Sequence, residues 1–237
     1  MKILDHGHIE LVDSMPASEP TGAPSLWGLG DQRVVDAARV SISGNEVRPT
    51  SENEKLLRYL LANAHTTPFE TVRFTFDVNL PIFIARQWIR YRSGSFNEMS
   101  ARYGVLPSEF YVPELDRMQA QAKDNKQGSG AVLDSETGLL LQQQILALSL
   151  ASYKTYEALL QRGLARELAR MVLPLNIYTR WMWTTDLHNL MHFLRQRLHS
   201  HAQYEIRVYA EAILELVQPI APCTLKIFKE GLKNGPK

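Results

Sequence analysis

The chain has little cysteine and no marked excess of charge of either sign. Among its 237 residues there is one cysteine, Cys223, which excludes an intrachain disulfide framework and fits a reducing compartment. Lys and Arg number 26 and Asp and Glu 25, so the formal net charge is +1. Binding to nucleic acid regardless of its base sequence needs a strong excess of basic residues, so this class of function is not supported. Any phosphate binding must come from a few arginines placed close together.

Long apolar runs and a dinucleotide-binding glycine motif are also missing. No apolar run approaches the ~18 residues of a membrane helix, and the acidic start MKILDHGHIELVD is unlike a signal peptide. We therefore expect a cytoplasmic protein with no membrane partner. Gly28 and Gly30 form a lone G-x-G without the third glycine of the Rossmann motif. The length and the hydrophobic content of 45% predict one ordinary globular domain spanning residues 1–237.

Hydrophobic periodicity predicts a mixed fold. Between Val72 and Leu80 apolar and polar residues alternate, which is typical of a half-buried strand. Further strands are predicted at residues 109–114 and 176–183, and loops at 13–30 and 117–134. Helices are predicted from a Ser51–Glu54 capping box onward, over 81–90, 135–161, 164–173 and 204–216, and from Asp186 with Thr185 as its cap. Few strands between long helices predict an α+β fold around a modest central sheet.

One segment, residues 87–103, is unusually dense in groups that hold anions and planar rings. We call this stretch, QWIRYRSGSFNEMSARY, the signature segment. Its arginines are Arg90, Arg92 and Arg102, and its aromatic residues are Trp88, Tyr91, Phe96 and Tyr103. Guanidinium groups bind phosphate bidentately, and aromatic faces stack on bases or cofactor rings. These residue types predict a site for a ligand that carries both kinds of group.

A second polar cluster lies in residues 186–201. Its members are His188, His192, Arg195, Arg197, His199 and His201. His188 and His192 share one helix face, but Asn189 stands where the zinc-peptidase motif has Glu, so no metal site is predicted. From spacing alone the histidines favour a solvated face, and Arg170 favours an exposed ion pair with Glu167.

The signature segment resembles that of the flavin-dependent thymidylate synthases, in which an Arg-His-Arg triplet is followed at fixed distances by Ser, Asn-Glu, Ser and Arg-Tyr. Here the triplet is Arg90-Tyr91-Arg92, so Tyr91 replaces the usual histidine. The later elements are Ser95, Asn97-Glu98, Ser100 and Arg102-Tyr103. The stretches HTTPFE, ARMVLPLNIYTR and SHAQYEIRVYA resemble other parts of the family in order and spacing. The resemblance spans residues 50–230.

This resemblance implies two groups of binding residues and no metal. For dUMP they are Gln87, Trp88, Ile89, Arg90, Glu98, Met99, Ser100, Ala101, Arg102, Arg170 and Arg197. For FAD they are Thr67, Arg90, Tyr91, Arg92, Glu98, Asp186, Leu187, His188 and His192. Arg197 is the catalytic candidate, because a guanidinium cannot act as a base but can stabilise negative charge developing on the uracil ring.

The activity that the resemblance implies is the methylation of dUMP to dTMP. In this family 5,10-methylenetetrahydrofolate supplies the one-carbon unit, FAD is the redox cofactor and NADPH reduces it. The resemblance also implies a homotetramer with its sites at subunit interfaces. Because reducing equivalents come from the flavin, no enzyme thiolate is needed, and Cys223 is expected to be a small apolar residue between two helices.

Two other classes of function remain open from the residues. A module that binds single-stranded nucleic acid would also interleave arginines with aromatic residues, although the near-neutral charge argues against it. A flavoprotein with another substrate would share the flavin contacts. It would not need Ser100, Arg102 and Arg170 together.

Overall fold

An antiparallel sheet with helices packed on it makes up most of the fold. The computed structural model describes residues 1–17, 26–42, 49–123 and 126–234. The strands are β1 (Lys2–Ile3), β2 (Gly7–Met15), β3 (Arg73–Pro81), β4 (Ser95–Glu98), β5 (Gln119–Gln121), β6 (Ser129–Val132) and β7 (Tyr178–Asp186). The α-helices are α1 (Leu29–Arg39), α2 (Thr50–Ala62), α3 (Thr67–Glu70), α4 (Ile82–Trp88), α5 (Ser135–Gln161), α6 (Arg166–Ala169), α7 (Leu187–Arg197), α8 (Tyr204–Val217) and α9 (Pro222–Asn234). Within these ranges we find no helix with both the length and the apolar character needed to cross a membrane.

The main sheet has the strand order β1-β2-β3-β7-β4, and each neighbouring pair is antiparallel. The apolar residues of β3 point to one face, where Phe74, Phe76 and Val78 are buried. In the register of the central pair, Phe76 lies opposite Trp183 of β7. The predicted α+β class and the predicted strand near residues 72–80 are confirmed.

The main core is rich in aromatic rings, and Trp88 stands at its centre. The Trp88 ring stacks on Phe193 at a centroid distance of 4.8 Å and meets Trp183 edge-on at 5.1 Å. All three side chains are buried, and burial of a large apolar side chain stabilises the fold by roughly 2–3 kcal/mol. This packing fixes the end of α4 against α7 and β7, and so fixes where the signature segment begins.

Helix α5 covers a smaller, separate core. It begins after Asp134, whose side chain accepts a hydrogen bond from the Thr137 amide at 2.9 Å, and it ends before Gly163, which has a φ of +85°. The predicted span 135–161 is confirmed. Tyr153 and Tyr156 of α5 are buried with Ala101, Leu106, Phe110, Ala169 and Ile177. Helix α5 therefore packs in the same core as Ala101, near the end of the signature segment.

Several local predictions from the sequence are wrong. The Ser51–Glu54 capping box does not form: α2 begins at Thr50 after Pro49, and Glu54 instead pairs with Arg58 at 2.7 Å. The predicted strand at 109–114 is reduced to one isolated bridge between Phe110 and Ile177. Where a loop was predicted at 117–134, β5 and β6 form a small hairpin.

Two predictions about where elements begin and end are also wrong. The predicted loop at 13–30 is shorter than expected, because β2 continues to Met15 and α1 starts at Leu29, while 18–25 lie outside the described residues. Thr185 is not the cap of α7. Asp186 is the cap, because its side chain accepts a hydrogen bond from the Asn189 amide.

Cys223 lies in the first turn of α9, whereas the sequence predicted a position between two helices. Its amide donates to Asp31 of α1 at 2.9 Å, and the amide of Thr224 donates to the same carboxyl group at 2.8 Å. The thiol is buried, and burial and the Asp31 carboxylate raise its pKa to about 11. The expected role as a packed apolar residue fits this position.

Candidate functional site

The site is built where β7 turns into α7 beside the signature segment. Asp186 ends β7 and caps α7, accepting hydrogen bonds from the backbone and side-chain nitrogens of Asn189 at 2.9 and 2.7 Å. Residues three and four apart on a helix share a face. Asn189, His192 and Gln196 therefore form one row that faces the triplet Arg90 to Arg92.

Between this row and the triplet lies a cavity of about 390 Å³, which we call the arginine cavity. Its lining residues are Arg90, Tyr91, Arg92, Ser93, Gly94, Trp183, Thr185, Asn189, His192, Gln196 and Arg197. Gly94 is required here, because a Cβ atom at this position would collide with the indole nitrogen of Trp183. The backbone of the signature segment can thus approach β7 closely and close one side of the cavity.

The arginine cavity is positively charged. Arg90, Arg92 and Arg197 line it without any Asp or Glu, and in the described ranges none of the three forms an ion pair. Other arginines of the protein do: Arg58 pairs with Glu54 and Glu230, and Arg180 pairs with Asp77. Unpaired guanidinium groups around a cavity favour an anionic ligand such as a phosphate.

Tyr91 and Arg197 contact each other in this cavity. The Arg197 guanidinium carbon lies 5.2 Å from the centroid of the Tyr91 ring, and the Tyr91 hydroxyl donates to Gln196 Oε1 at 2.8 Å. Burial raises the pKa of Tyr91 above its ordinary value, while Arg197 acts in the opposite direction. Arg197 Nε is buried and has no hydrogen-bond partner among the described residues. An orphaned donor beside a cavity is typical of a site that a ligand completes.

A second cavity of about 230 Å³ adjoins the first, and His192 lines both. We call it the histidine cavity. Its lining residues are Leu60, Leu61, Ala64, His65, Thr66, Phe69, His188, Met191, His192 and Arg195. It is more apolar than the arginine cavity, and together the two could hold the polar and planar parts of one large ligand.

The structure brings together only part of the predicted site. Arg90, Tyr91, Arg92, His192 and Arg197 line the arginine cavity, and His188 lines the other. The predicted residues that line neither cavity are Thr67, Gln87, Trp88, Ile89, Glu98, Met99, Ser100, Ala101, Arg102, Arg170, Asp186 and Leu187. Their predicted contacts stay predictions.

Two of these residues are packed too deeply for side-chain contact in this arrangement. Trp88 and Leu187 are each fully buried in the main core. Ala101 is also buried, in the smaller core under α5.

The second half of the signature segment lies on the surface. No strand was predicted there, but Ser95–Glu98 is the edge strand β4, with Glu98 accepting a hydrogen bond from the Thr179 hydroxyl at 2.9 Å. Beyond it, Arg102 is exposed and its guanidinium carbon lies 5.3 Å from the Tyr103 ring centroid. This surface presents a guanidinium group that has no ion-pair partner in the described part of the chain.

Arg170 is exposed as well, and the ion pair expected with Glu167 does not form. Its Nε instead donates to the backbone carbonyl of Glu167 at 3.3 Å. Ala101 and Ala169, the neighbours of Arg102 and Arg170, share the core under α5. The two arginines therefore emerge from one packed unit, which is separate from the arginine cavity.

Sequence reasoning missed several cavity residues. Ser93, Gly94, Trp183, Thr185, Asn189 and Gln196 line the arginine cavity, and none of them was predicted as a contact. The spacing of Gln196 four residues after His192 was a usable signal, because it places both side chains on one helix face. Trp183 gave no such signal, since a tryptophan in a buried strand is ordinarily a core residue.

Comparisons with known proteins agree on one family. The family described as thymidylate synthase complementing protein matches residues 27–223. A flavin-dependent thymidylate synthase of Thermus thermophilus is 48% identical over 235 residues, covering 98% of this chain and 79% of the relative. One from Ehrlichia ruminantium is 45% identical over 229 residues, covering 97% and 72%.

A solved structure is similar over nearly its whole length. It is the crystal structure of the UMP/dUMP methylase PolB from Streptomyces cacaoi bound with 5-Br dUMP. It has a TM-score of 0.82 and 32% sequence identity, and the match covers 97% of both chains. Sequence and fold thus point to the same relatives.

Proposed function

The chain belongs to the flavin-dependent thymidylate synthase family, and from this premise we propose that it methylates dUMP to dTMP. In the proposed reaction 5,10-methylenetetrahydrofolate donates the one-carbon unit, FAD is the redox cofactor and NADPH reduces it. The observation that carries the proposal is the arginine cavity, where Arg90, Arg92 and Arg197 stand without carboxylate partners in the described ranges. The PolB relative binds a brominated dUMP, which supports a uracil nucleotide as the substrate.

The residues of the two cavities fit a bound flavin. The arginine cavity offers guanidinium groups for anionic parts, and the histidine cavity offers an apolar wall beside His188 and His192. The orphaned Nε of Arg197 is a donor that a ligand can satisfy. We propose that Arg90, Arg92, His188 and His192 hold FAD, with Thr67, Tyr91, Glu98, Asp186 and Leu187 as further contacts. When bound, FAD supplies the redox chemistry of the reaction.

Arg197 is proposed as the catalytic residue. Its guanidinium stays protonated, so it can stabilise negative charge on the uracil ring but cannot remove a proton. A fixed charge of this kind is already oriented before the reaction and is worth about 3–4 kcal/mol in the transition state. The face of Tyr91 holds this charge at the wall of the cavity.

The phosphate and ribose of dUMP are assigned to Arg90 and Arg102 of the signature segment and to Arg170. The further residues proposed for dUMP are Gln87, Trp88, Ile89, Glu98, Met99, Ser100 and Ala101. Arg102 and Arg170 lie outside the arginine cavity within one chain. This separation supports the proposal that the sites lie at interfaces of a homotetramer, in which Arg102 and Arg170 of a second copy complete the dUMP site.

The exposed leucines of α5 also support self-association. Leu139, Leu140, Leu146, Leu148 and Leu150 are between 42% and 68% exposed. Monomeric soluble proteins rarely expose such a concentration of large apolar side chains. We propose that these leucines are covered in the homotetramer and that the enzyme works in the cytoplasm as one 237-residue domain.

One assay tests the proposed function. Purified protein is loaded with FAD, reduced anaerobically with NADPH, and then mixed with dUMP and 5,10-methylenetetrahydrofolate. We expect the flavin absorbance to return only when both substrates are present, together with one dTMP formed for each flavin oxidised. Protein that stays colourless after incubation with FAD would contradict the flavin site, and flavin that reoxidises with another substrate would indicate a different flavoprotein.

A further inference from the structure

Tyr91 makes a set of contacts that its position in the triplet does not predict. The family signature has histidine there, and this chain has tyrosine. The Tyr91 ring meets Phe193 edge-on at a centroid distance of 5.0 Å and His192 at 5.7 Å. The Phe193 contact anchors the ring to the core, so its orientation in the cavity is fixed by packing.

The guanidinium group of Arg197 lies over the face of the Tyr91 ring. The guanidinium carbon is 5.2 Å from the ring centroid, within the range of a cation–π contact. Because Arg197 forms no ion pair and its Nε has no hydrogen-bond partner in the described ranges, the ring is a principal support for this side chain. A phenol ring stays neutral near Arg197, whereas a histidine that took up a proton would repel it.

The hydroxyl of Tyr91 begins a chain of hydrogen bonds along α7. It donates to Gln196 Oε1 at 2.8 Å, and Gln196 Nε2 then faces His192 Nε2 at 3.4 Å. An amide nitrogen can only donate, so this arrangement favours the neutral tautomer of His192 in which Nε2 accepts and Nδ1 carries the proton. The Gln196 amide oxygen can only accept, so the phenol of Tyr91 is the donor, and burial raises the pKa of Tyr91 further above its ordinary value.

We propose that Tyr91 is a positioning residue of this enzyme, whose ring face holds Arg197 and whose hydroxyl, through Gln196, sets the tautomer of His192. The inference rests on the proposed function, because it assigns Arg197 and His192 to the reaction. It adds Gln196 to the site as the link between Tyr91 and His192. Tyrosine and glutamine act here as a pair: neither side chain alone fixes the histidine.

Three variants separate the two roles of Tyr91. Tyr91→Phe keeps the ring and removes the hydroxyl, Gln196→Leu removes the amide link, and Tyr91→Leu removes the ring as well. Tyr178→Phe is the matched control, because it removes a tyrosine hydroxyl that bonds to Asp5 at the opposite end of β7 from the cavity. Circular dichroism and thermal unfolding verify that each variant folds.

The steady-state readout is kcat and KM for dUMP. We expect Tyr91→Phe and Gln196→Leu each to lower kcat by about tenfold, the loss of one hydrogen bond, with little change in KM. The double variant should be no worse than either single variant, because both break one chain of bonds. Tyr91→Leu should lower kcat by about a hundredfold through misplacement of Arg197.

The structural readout is the tautomer of His192, which ¹⁵N chemical shifts of histidine-labelled protein report without turnover. In the unaltered protein and in Tyr178→Phe we expect the Nδ1-protonated form, and in Tyr91→Phe and Gln196→Leu a mixture of both tautomers. The signal is assigned with His192→Gln.

An unchanged tautomer in both variants, additive losses in the double variant, or a Tyr91→Leu enzyme as active as Tyr91→Phe would each overturn the proposal. If no variant and no unaltered protein forms dTMP, the proposed function fails, while the tautomer still decides the role of the hydroxyl.

Discussion

Two sets of arginines in the described part of the protein differ in their partners. Arg58 and Arg180 are held by carboxylates, and Arg180 lowers the pKa of Asp77 through a direct hydrogen bond. Arg90, Arg92 and Arg197 instead face a cavity and form no ion pair in the described ranges. An arginine kept without a carboxylate is available for a ligand, which is the physical basis for assigning these three to binding and catalysis.

The first prediction concerns Arg197. Arg197→Ala is expected to lower kcat for dTMP formation by about 10²–10³, the usual effect of removing one preorganised electrostatic group. Flavin reduction by NADPH without dUMP should change by less than about threefold, because no uracil charge develops in that step. Stopped-flow absorbance measures the second rate. Arg207→Ala is the control, since Arg207 bonds to the Ser200 carbonyl outside the cavities. Equal losses in both steps would make Arg197 a structural residue.

The second prediction concerns Cys223, which decides between two chemistries that give the same product. A thymidylate synthase without flavin attacks the uracil ring with a cysteine thiolate, and this needs a lowered pKa. Burial raises the pKa of Cys223 to about 11, and the side chain is only 4% exposed. Cys223→Ala should therefore retain most of the dTMP-forming activity and lose at most about 1–2 kcal/mol of stability.

Alkylation provides an independent measurement for Cys223. The native protein at pH 8 should resist iodoacetamide, and the protein in denaturant should react at once. A folded, flavin-loaded Cys223→Ala protein that makes no dTMP would overturn the flavin-dependent assignment. Rapid alkylation of the native thiol with loss of activity would do the same.

At the scale of elements, the start of α7 sets the positions of the cavity residues. Asp186 and Asp134 are both N-caps, each accepting from a backbone amide at 2.9 Å, but only the helix that follows Asp186 lines the cavities. Loss of a cap frays the first turn. The first turn of α7 contains His188 and Asn189, and the next contains His192, so fraying there reaches the site.

The third prediction follows from this difference. Asp186→Ala should cost about 1 kcal/mol of unfolding free energy and weaken FAD binding, whereas Asp186→Asn should keep most of both, because asparagine also caps helices. Asp134→Ala should lower the melting temperature without changing FAD affinity. Denaturant unfolding and flavin titration give the two quantities. Equal effects of Asp134→Ala and Asp186→Ala on FAD affinity would show that the cap does not position the site.

The success of prediction from the sequence also varied by element. The span of α5 is readable because Asp134 and Gly163 mark its ends, and β3 is readable because one of its faces is buried. Strand β4 could not be predicted from the sequence pattern, since its four residues are half-buried or exposed and pair only at the sheet edge. Thr185 and Asp186 are both good caps. The choice between them depends on β7, which extends through Asp186 and pairs it with Arg73.

The site could be predicted only in part for a similar reason. The triplet and the residues His188, His192 and Arg197 were found through the family motif, and the cavities contain all of them. Gln196 and Trp183 enter the arginine cavity because α7 and β7 pack against the signature segment, and Tyr91 and Gln196, which bond to each other there, are 105 residues apart in sequence. No local pattern encodes such a contact, and it appears only when the sheet order is known.

At the scale of the whole molecule, one chain keeps Arg102 and Arg170 apart from the arginine cavity and leaves several leucines of α5 exposed. Arg102 and Arg170 are exposed beside the core under α5, and neither residue lines the arginine cavity. On α5 itself, Leu139, Leu146 and Leu150 follow one another at spacings of seven and four and so form one stripe. Association through such stripes would cover the leucines and bring the arginines of one copy towards another.

The last prediction tests this assembly. Leu146→Glu combined with Leu150→Glu places two charges in the stripe, and an interface core strongly disfavours buried unpaired charge. We expect the unaltered protein to run as a homotetramer in size-exclusion chromatography with light scattering, and the double variant to dissociate while it keeps its helical circular dichroism. Thr155→Glu adds a charge to an exposed position of the same helix beyond these leucines and should leave the tetramer intact.

Activity connects the assembly to the site. If arginines from a neighbouring copy complete the dUMP site, the dissociated double variant should lose dTMP formation, because Arg102 and Arg170 no longer reach a cavity. Mixing it with an Arg197→Ala protein should not restore activity, since the double variant cannot join a tetramer. A dissociated variant that still methylates dUMP at the normal rate would show that one chain holds a complete site, and a double variant that stays tetrameric would show that the α5 leucines do not form the interface.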